Sequence, residues 1–532
     1  MANQYYLRSD VYFEPLFNNW YVWPYLLAPA TGAMNMANHQ QRLLKSFIAN
    51  AKLHAASAKH KAMVGSSMVD CREEQVDQVK AILQQTQTTH ANLLDFAQAI
   101  RDLDDLLREK AHGESLEPLY AEVPECLKGY VELVYDLNNQ PSYRLIEGLL
   151  YLSEFYKPEG QSLCFGVQHS DERPFVLSTP RLADEHHLHI KVPFDHPFTE
   201  AIFRMREEPQ SLEYLRELLG ESELAGGLDF ESLFTTEAPR RSNAYQGQDV
   251  KVNYLGHAGV MVETNRTCIM VDPVIPYTND EYTDKLTFED LPPFIDYVMV
   301  THTHMDHVCI ETLLQLKHKI GTILVPKNNG GSLADPSIKL MLQHLGFPRV
   351  QEMEDMESLT VPDGKITALP FLGEHADVNV RSKAAWLVNL KGRKILLAAD
   401  SSNIDHHLYE HIYQFSGDVD ALYIGMECTG GPLKWLYGSL LTQPISKEMN
   451  ESRRFNGSDF SAAVGLVEKF NVETVNVYAL GMEPWYRYFM GIVYNDDDAQ
   501  MQESQRLVDY CKQQGRSGKR LFGKDEVIFS AR

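Results

Sequence analysis

The sequence has few cysteines and no pattern among them. Seven (Cys71, Cys126, Cys164, Cys268, Cys309, Cys428 and Cys511) are scattered over 532 residues with no C-x-x-C. This argues against a disulfide framework and a thiolate zinc site, and it fits a reducing, cytoplasmic compartment. Positive charge is also scarce. Lys and Arg number 49 against 73 Asp and Glu, for a formal net charge of −24. The basic footprint of a nucleic-acid binder is therefore missing, and an anionic membrane surface is a poor partner. No apolar run approaches the length of a membrane span. The opening residues, MANQYYLRSDVYFEP, carry no basic stretch followed by an apolar core, so no secretory signal is expected. The region before residue 245 has no Gly-rich phosphate-binding turn, which disfavours an attached flavin domain.

Apolar content of 44% and charged content of 23% are those of a soluble globular protein. The length calls for two or three domains. Residues 1–35 are crowded with aromatics (Tyr5, Tyr6, Tyr12, Phe13, Phe17, Trp20, Tyr21, Trp23, Tyr25). They read as a packed arm, with a dimer contact as the sharper alternative. Helical periodicity follows over 37–64, 72–88 and 91–112, with Asp70 as a cap for the second. Two further apolar-periodic stretches lie near 124–136 and 143–156. Ser162–Gln168, Phe175–Ser178 and His187–Val192 read as strands, then 197–207 and 210–220 as helices. His187 and His189 would share one strand face, at a surface or interface rather than on a metal. Residues 236–250 lack any apolar period and read as a linker. Beyond it the pattern changes to interleaved short strands and helices, ending in a last strong strand at Thr474–Leu480. This is a layered α/β arrangement, with expected domains at 1–245 and 246–532.

The densest chemistry lies in Thr301-His302-Thr303-His304-Met305-Asp306-His307, directly after the apolar strand Phe294–Val300. A turning loop can aim His302, His304, Asp306 and His307 inward together. His302 and His304 suit one metal, Asp306 and His307 a second. A dinuclear site needs more ligands, and two stretches fit. Leu396-Leu397-Ala398-Ala399-Asp400 ends an apolar strand in a carboxylate that needs a partner such as a metal, and Asp400 could bridge two ions. In Phe371-Leu372-Gly373-Glu374-His375-Ala376-Asp377, neighbours on an extended segment point apart, so either Glu374 or His375 is a ligand. A histidine there makes a nitrogen-rich site typical of zinc. A glutamate makes an oxygen-rich shell that favours iron or manganese. Asp272 could accept the outer N–H of a ligating histidine, or simply turn the chain before Pro273. His257, in a Gly-His-Ala-Gly turn, reads as hydrogen-bonded scaffold.

The order LGHAGVMVE, IMVDP, THTHMDH, a residue near 374, then AADS resembles the metallo-β-lactamase superfamily over about 248–490. The chain as a whole, including LRSDVYFEPLFNNWYVWPYLLAPATGAMN, resembles the diiron β-hydroxylases typified by the enzyme of the chloramphenicol pathway. The resemblance implies a C-terminal αββα sandwich and a distinct mixed, largely helical N-terminal domain that mediates dimerisation. It implies a non-heme monooxygenase of antibiotic biosynthesis with an oxygen-bridged diiron cluster. That enzyme would use O2 and an external electron donor to hydroxylate the β-carbon of an amino acid. The amino acid would be held as a thioester on a nonribosomal peptide synthetase carrier domain. By position, His302, His304 and Glu374 fall on one iron, Asp306 and His307 on the other, with Asp400 bridging. Glu374 and Asp400 are the expected catalytic carboxylates, Glu374 by moving to open a coordination position. The late histidine of the superfamily is missing, since none follows His411. Glu427 and Glu483 are the candidates to replace it. Residues 428–460 read as a lid or docking loop, with Trp435, Tyr437, Trp485 and Tyr488 lining a tunnel and Lys434, Arg453 and Arg454 docking an acidic carrier. The alternative is a dinuclear zinc hydrolase of an ester, lactone or phosphodiester, with His375 as ligand.

Overall fold

Short runs rich in β-branched and aromatic residues form two seven-stranded sheets in the second half of the chain. The computed structural model describes residues 3–60, 63 and 65–532. The first sheet runs Val350–Met353, Ile320–Pro326, Ile295–Met299, Cys268–Val271, Gly259–Glu263, Val250–Gly256, Asp525–Phe529. The second runs Ser358–Val361, Gly364–Leu369, Ala385–Leu390, Arg393–Leu397, Ala421–Gly425, Thr474–Tyr478, Ser517–Arg520. Val252, Val260, Ile269, Trp386, Val388 and Ile395 fill the space between the sheets. Helices His406–Ser416, Phe460–Lys469 and Ala499–Gln513 cover the outer face of the second sheet. This is the expected αββα sandwich.

Within each sheet the middle strands are parallel. Cys268–Val271 pairs with Ile295–Met299 and that with Ile320–Pro326; Arg393–Leu397 pairs with Ala421–Gly425 and that with Thr474–Tyr478. Parallel pairing brings carboxyl ends together, and loops leaving those ends form the natural ligand edge of such a sheet. The polar residues that end these strands, Asp272, the 301–307 loop, Asp400 and Glu427, therefore share one rim.

The N-terminal half contributes a five-stranded sheet: Trp20–Tyr21, Val11–Phe17, Gln161–Val167, His187–Ile190, Leu224–Gly226. It also supplies the helices Gln41–Ala49, Val76–Thr89 and Ala91–Lys110. It packs on the outer face of the first sheet through helix Ile310–Leu316, every residue of which is buried. Each of Ile310, Leu313, Leu314 and Leu316 contributes about 1.5–3 kcal/mol by its burial. The aromatic arm is packed, with Trp20, Tyr21, Trp23 and Tyr25 all buried. Among the described residues no helix is long and apolar enough to cross a membrane.

Several sequence expectations need correction. The helix expected over 37–64 is broken at Asn50, whose φ of −144° leaves the helical region; residues 61, 62 and 64 lie outside the described residues. Arg72, not Asp70, caps the second helix, because its backbone N–H meets the Gln75 side chain. The stretches at 124–136 and 143–156 are mainly a hairpin, Val131–Tyr135 with Pro141–Leu145, followed by a helical turn at Glu147–Tyr151. Phe175–Ser178 is a turn, with Val176 N–H bonded to Tyr488 O across the molecule. His189 is buried rather than at a surface, while His187 keeps a partly exposed side chain as expected. His187 lies between Asp184 and the Tyr12 hydroxyl, both at 2.6 Å, and His189 lies 3.5 Å from the Cys164 sulfur. Two strands follow Thr474–Tyr478, so it is not the last.

Candidate metal centre

The 301–307 loop is held by the strand beside it. Asp272, at φ +42°, stands next to Thr301 because their strands are parallel neighbours. It accepts from Thr301 N at 2.8 Å and Thr301 Oγ1 at 2.5 Å, and its Oδ2 lies 2.7 Å from His307 Nδ1. A carboxylate can only accept, so His307 carries its proton on Nδ1 and turns the Nε2 lone pair inward. With its own proton given to Asp272, Thr301 Oγ1 accepts from His302 Nδ1 at 3.0 Å, which turns His302 Nε2 inward too. His304 Nε2 meets the Tyr437 hydroxyl at 3.3 Å, leaving Nδ1 inward.

The inward atoms converge. His304 Nδ1 lies 2.9 Å from Glu374 Oε1 and 3.1 Å from His302 Nε2. Asp400 Oδ2 lies 2.9 Å from His307 Nε2 and 3.9 Å from His302 Nε2. Asp306 Oδ2 lies 3.4 Å from His307 Nε2 and 3.0 Å from His257 Nε2. Three donor groups result: His302, His304 and Glu374; His302, His307 and Asp400; His257, Asp306 and His307. Two imidazole lone pairs facing at 3.1 Å repel unless a cation lies between them. Asp400 Oδ1 is buried with no hydrogen-bond partner among the described residues, a costly state for a charged oxygen. The donor set therefore fits two metal ions, and its mixture of imidazole and carboxylate suits iron.

The electrostatics show the same crowding of charge: burial would lower His307, but the Asp306, Asp400 and Asp272 carboxylates outweigh it and hold the ring well above its ordinary range. Burial, with the neighbouring imidazoles, holds His302 well below its ordinary range. Burial takes His304 down to about 4. Both rings thus keep free lone pairs. Burial and the Asp400 and Asp306 charges push Glu374 well above the carboxylate range. That crowding of negative charge is what a cation relieves.

The backbone is bent to this purpose. Among the described non-glycine residues, His257, Asp272, Glu374, Ala376, Asp377, Ala399 and Ala479 all have positive φ around this rim, and such strain gathers at functional sites. At 374–375 the chain is not extended as expected. Glu374 sits at φ +67° and reaches the donor group. His375 stacks on the His304 ring at 4.6 Å, both its nitrogens without partners. Among the described residues Glu483 belongs to no donor group: it anchors Tyr254 Oη at 2.7 Å and the backbone N–H groups of His257 and Gly523. Glu427 lies on the same rim but in no donor group. Sequence reasoning set His257 apart as scaffold, and the structure brings it to Asp306. Its signal was a histidine in the turn between two buried strands.

A cavity of about 360 Å³ opens onto His304, Asp306, Glu374 and Asp400. The 428–460 segment covers it with Trp435, Leu436 and Phe455. Tyr437 backs His304 from behind. Trp485 and Tyr488 do not line it: Trp485 packs on Tyr282 and Phe522, and Tyr488 lies under the Arg173 guanidinium at 3.4 Å. The three basic residues also brace the backbone of this region, while Lys434 remains exposed and Arg453 and Arg454 partly so. Arg453 Nε holds Ala376 O at 2.9 Å, Arg454 Nε holds Thr429 O at 2.7 Å, and Lys434 Nζ holds Ile445 O at 3.3 Å.

The two sheets and the rim of histidines and carboxylates define a metallo-β-lactamase-fold protein with a donor set for two metals. The Beta-lactamase superfamily domain matches residues 267–428, and the Diiron non-heme beta-hydroxylase N-terminal domain matches residues 6–239. The chain is 36% identical over 528 residues, 97% of its length and 98% of the relative's, to the 4-amino-L-phenylalanyl-[CmlP-peptidyl-carrier-protein] 3-hydroxylase of Streptomyces venezuelae. The crystal structure of CmlA, a diiron β-hydroxylase from that organism, superposes with a TM-score of 0.92 at 35% identity, covering 99% of this chain and 100% of that one. A metal-dependent hydrolase of Anoxybacillus flavithermus is 32% identical over only 18% of the chain and 40% of its own. The chain belongs to the diiron non-heme β-hydroxylase family, and it is an enzyme that uses two irons and O2. The zinc-hydrolase alternative is set aside by that membership.

Proposed function

We propose that this protein hydroxylates the β-carbon of an aminoacyl group held as a thioester on a nonribosomal peptide synthetase carrier domain. The observation that carries this reading is the whole-chain likeness to a relative whose name specifies a carrier-bound aminoacyl substrate. In this reading His302, His304 and Glu374 would hold one iron and Asp306 and His307 the other, with Asp400 serving both. The irons supply O2 activation and one-electron chemistry when bound. Asp272 keeps His307 in the tautomer that binds metal, and the His257 N–H orients Asp306. The 428–460 segment excludes water and admits the substrate arm beside Trp435. Residues 1–245 form a dimerisation domain and 246–532 the catalytic domain, joined by the linker at 236–249, which has no regular structure before Val250. An external donor supplies electrons. The seven unpaired cysteines support a cytoplasmic setting.

The test is metal content with visible and Mössbauer spectra on one sample, followed by loaded carriers with O2 and reductant. Two irons per chain with a coupled diferric signature and a one-oxygen mass gain on an aminoacyl carrier are expected. Two zincs with a featureless spectrum, and no mass gain on any loaded carrier, would overturn the proposal.

A further inference from the structure

The cavity is lined by four carboxylates, Asp306, Glu374, Asp400 and Glu427. Three belong to donor groups, whose charge metal ions would offset. Glu427 does not. It lies just beyond strand Ala421–Gly425, beside the strand that ends at Asp400. Its Oε1 accepts from Thr429 Oγ1 and Gly430 N, both at 2.9 Å, and from Gln500 Nε2. Its Oε2 accepts only from the Tyr494 hydroxyl. All four donors are neutral, and among the described residues no lysine or arginine pairs with it. Among the described residues Oε2 thus receives one donor where Oε1 receives three, and it is the less satisfied oxygen. The rest of the wall is mainly apolar: Trp435, Leu436, Phe455, Phe489, Met490 and Ile492.

A half-buried negative charge that is hydrogen-bonded but not neutralised is prepared for a cation. The surrounding wall suits an apolar body attached to that cation. An aminoacyl thioester carries one cation fixed to its backbone, the α-ammonium, two bonds from the β-carbon. Resting on the reading above, we infer that Glu427 accepts the α-ammonium of the carrier-bound aminoacyl group. Its position on the Asp400 rim then fixes the β-carbon against the donor groups. Because Thr429 and Gly430 begin the covering segment, the same carboxylate ties substrate charge to the base of the lid. The chemical class it selects is an α-amino acyl chain over an acyl chain lacking nitrogen at that carbon.

The test compares the iron-loaded enzyme with two carriers, one bearing 4-amino-L-phenylalanyl and one bearing 3-(4-aminophenyl)propionyl, in binding and in hydroxylation. Wild type is expected to bind the aminoacyl carrier about 30-fold more tightly, the lower part of the range for unpairing one member of a buried charged pair. Glu427→Gln, which keeps the side chain's shape, is expected to bring the two affinities within about threefold of one another, with iron content and visible spectrum unchanged. Tyr494→Phe removes a neutral donor but not the charge, so it keeps the wild-type preference and controls for loosening of the lid. An undiminished preference in Glu427→Gln, or no preference in wild type, would overturn the assignment while leaving the carrier reading intact. A wild-type enzyme that takes neither of these carriers nor any other aminoacyl-loaded carrier would overturn both.

Discussion

At Gly425 a Cβ would lie 2.2 Å from Asp400 Oδ1, so the absence of a side chain there gives the proposed bridging carboxylate its room. Gly425→Ala is expected to displace Asp400 and lower iron from two per chain toward one. The thermal midpoint of the metal-free protein should move by no more than about 2–4 °C, since the change is worth roughly 1 kcal/mol. Metal analysis beside a melting curve checks both. Asp272 acts one step further out. It accepts three hydrogen bonds and holds His307 and Thr301 in place, so Asp272→Asn should weaken iron retention by about 10–100-fold. The rate of iron loss to a chelator measures this. Residues that end a strand in a charge, such as Asp272 and Asp400, stood out in the sequence because a carboxylate at the end of an apolar run needs a partner, although for Asp272 a plain turn before Pro273 fitted equally well. The choice between Glu374 and His375 was not legible. It depends on left-handed backbone at 373–377, which no periodicity announces.

At the scale of elements, the strands of the sandwich were legible where they are buried on both faces, as in Ala421–Gly425 and Thr474–Tyr478. Ser517–Arg520 and Asp525–Phe529 alternate polar residues at a sheet edge and carried no such signal. Helix Ala499–Gln513 is mostly polar, with only Gln500, Ser504, Leu507, Val508 and Cys511 buried, and was missed for the same reason. The covering segment was legible from its length, but the bonds its arginines make to backbone carbonyls were not. Arg454 ties it to the carbonyls of Thr429 and Gly430, at 2.7 and 2.6 Å. Arg454→Ala should therefore speed proteolytic cleavage within 428–460 severalfold while global unfolding changes little, as expected of a locally stabilised unit. Limited digestion with mass mapping of the fragments tests this.

For the molecule as a whole, the two halves are joined by charge as well as by apolar packing. Glu311, on the helix after the metal loop, receives Arg173 from the N-terminal half at 3.2 Å, with the Tyr21, Tyr277 and Tyr488 hydroxyls at 2.8, 2.8 and 3.1 Å. Arg173 also serves Glu14, which burial would raise but which Arg181 and Arg173 together hold below the usual carboxylate range. Arg173→Met would strand Glu311 and leave Glu14 to Arg181 alone, and should cost about 3–5 kcal/mol, read by denaturant unfolding as a loss across both halves together. A second junction responds to pH. Burial favours protonation of Glu207, but His318 and Lys319 override it and hold the carboxyl at about 2, against an ordinary 4.5. Its contribution is complete above 4.5 and is lost as pH falls from there toward 2. At this half-buried site it is on the order of 1 kcal/mol after screening. Glu207→Gln should flatten that part of the stability-against-pH curve. None of these long-range pairs was legible, because partners more than a hundred residues apart leave no local pattern.

Strand Asp525–Phe529 lies hydrogen-bonded beside Val250–Gly256, and Ala531 N donates to Asp249 Oδ1 at 3.0 Å. The sandwich thus begins and ends at neighbouring points near one sheet edge. A short turn could join these strands as a hairpin, and the chain could be reopened at an exposed loop elsewhere. The sandwich is in this sense a closed circuit whose sequence order can be cut at another point. A permuted chain, with its new ends away from the metal rim, would separate the spatial arrangement of the donor groups from the order in which synthesis delivers them.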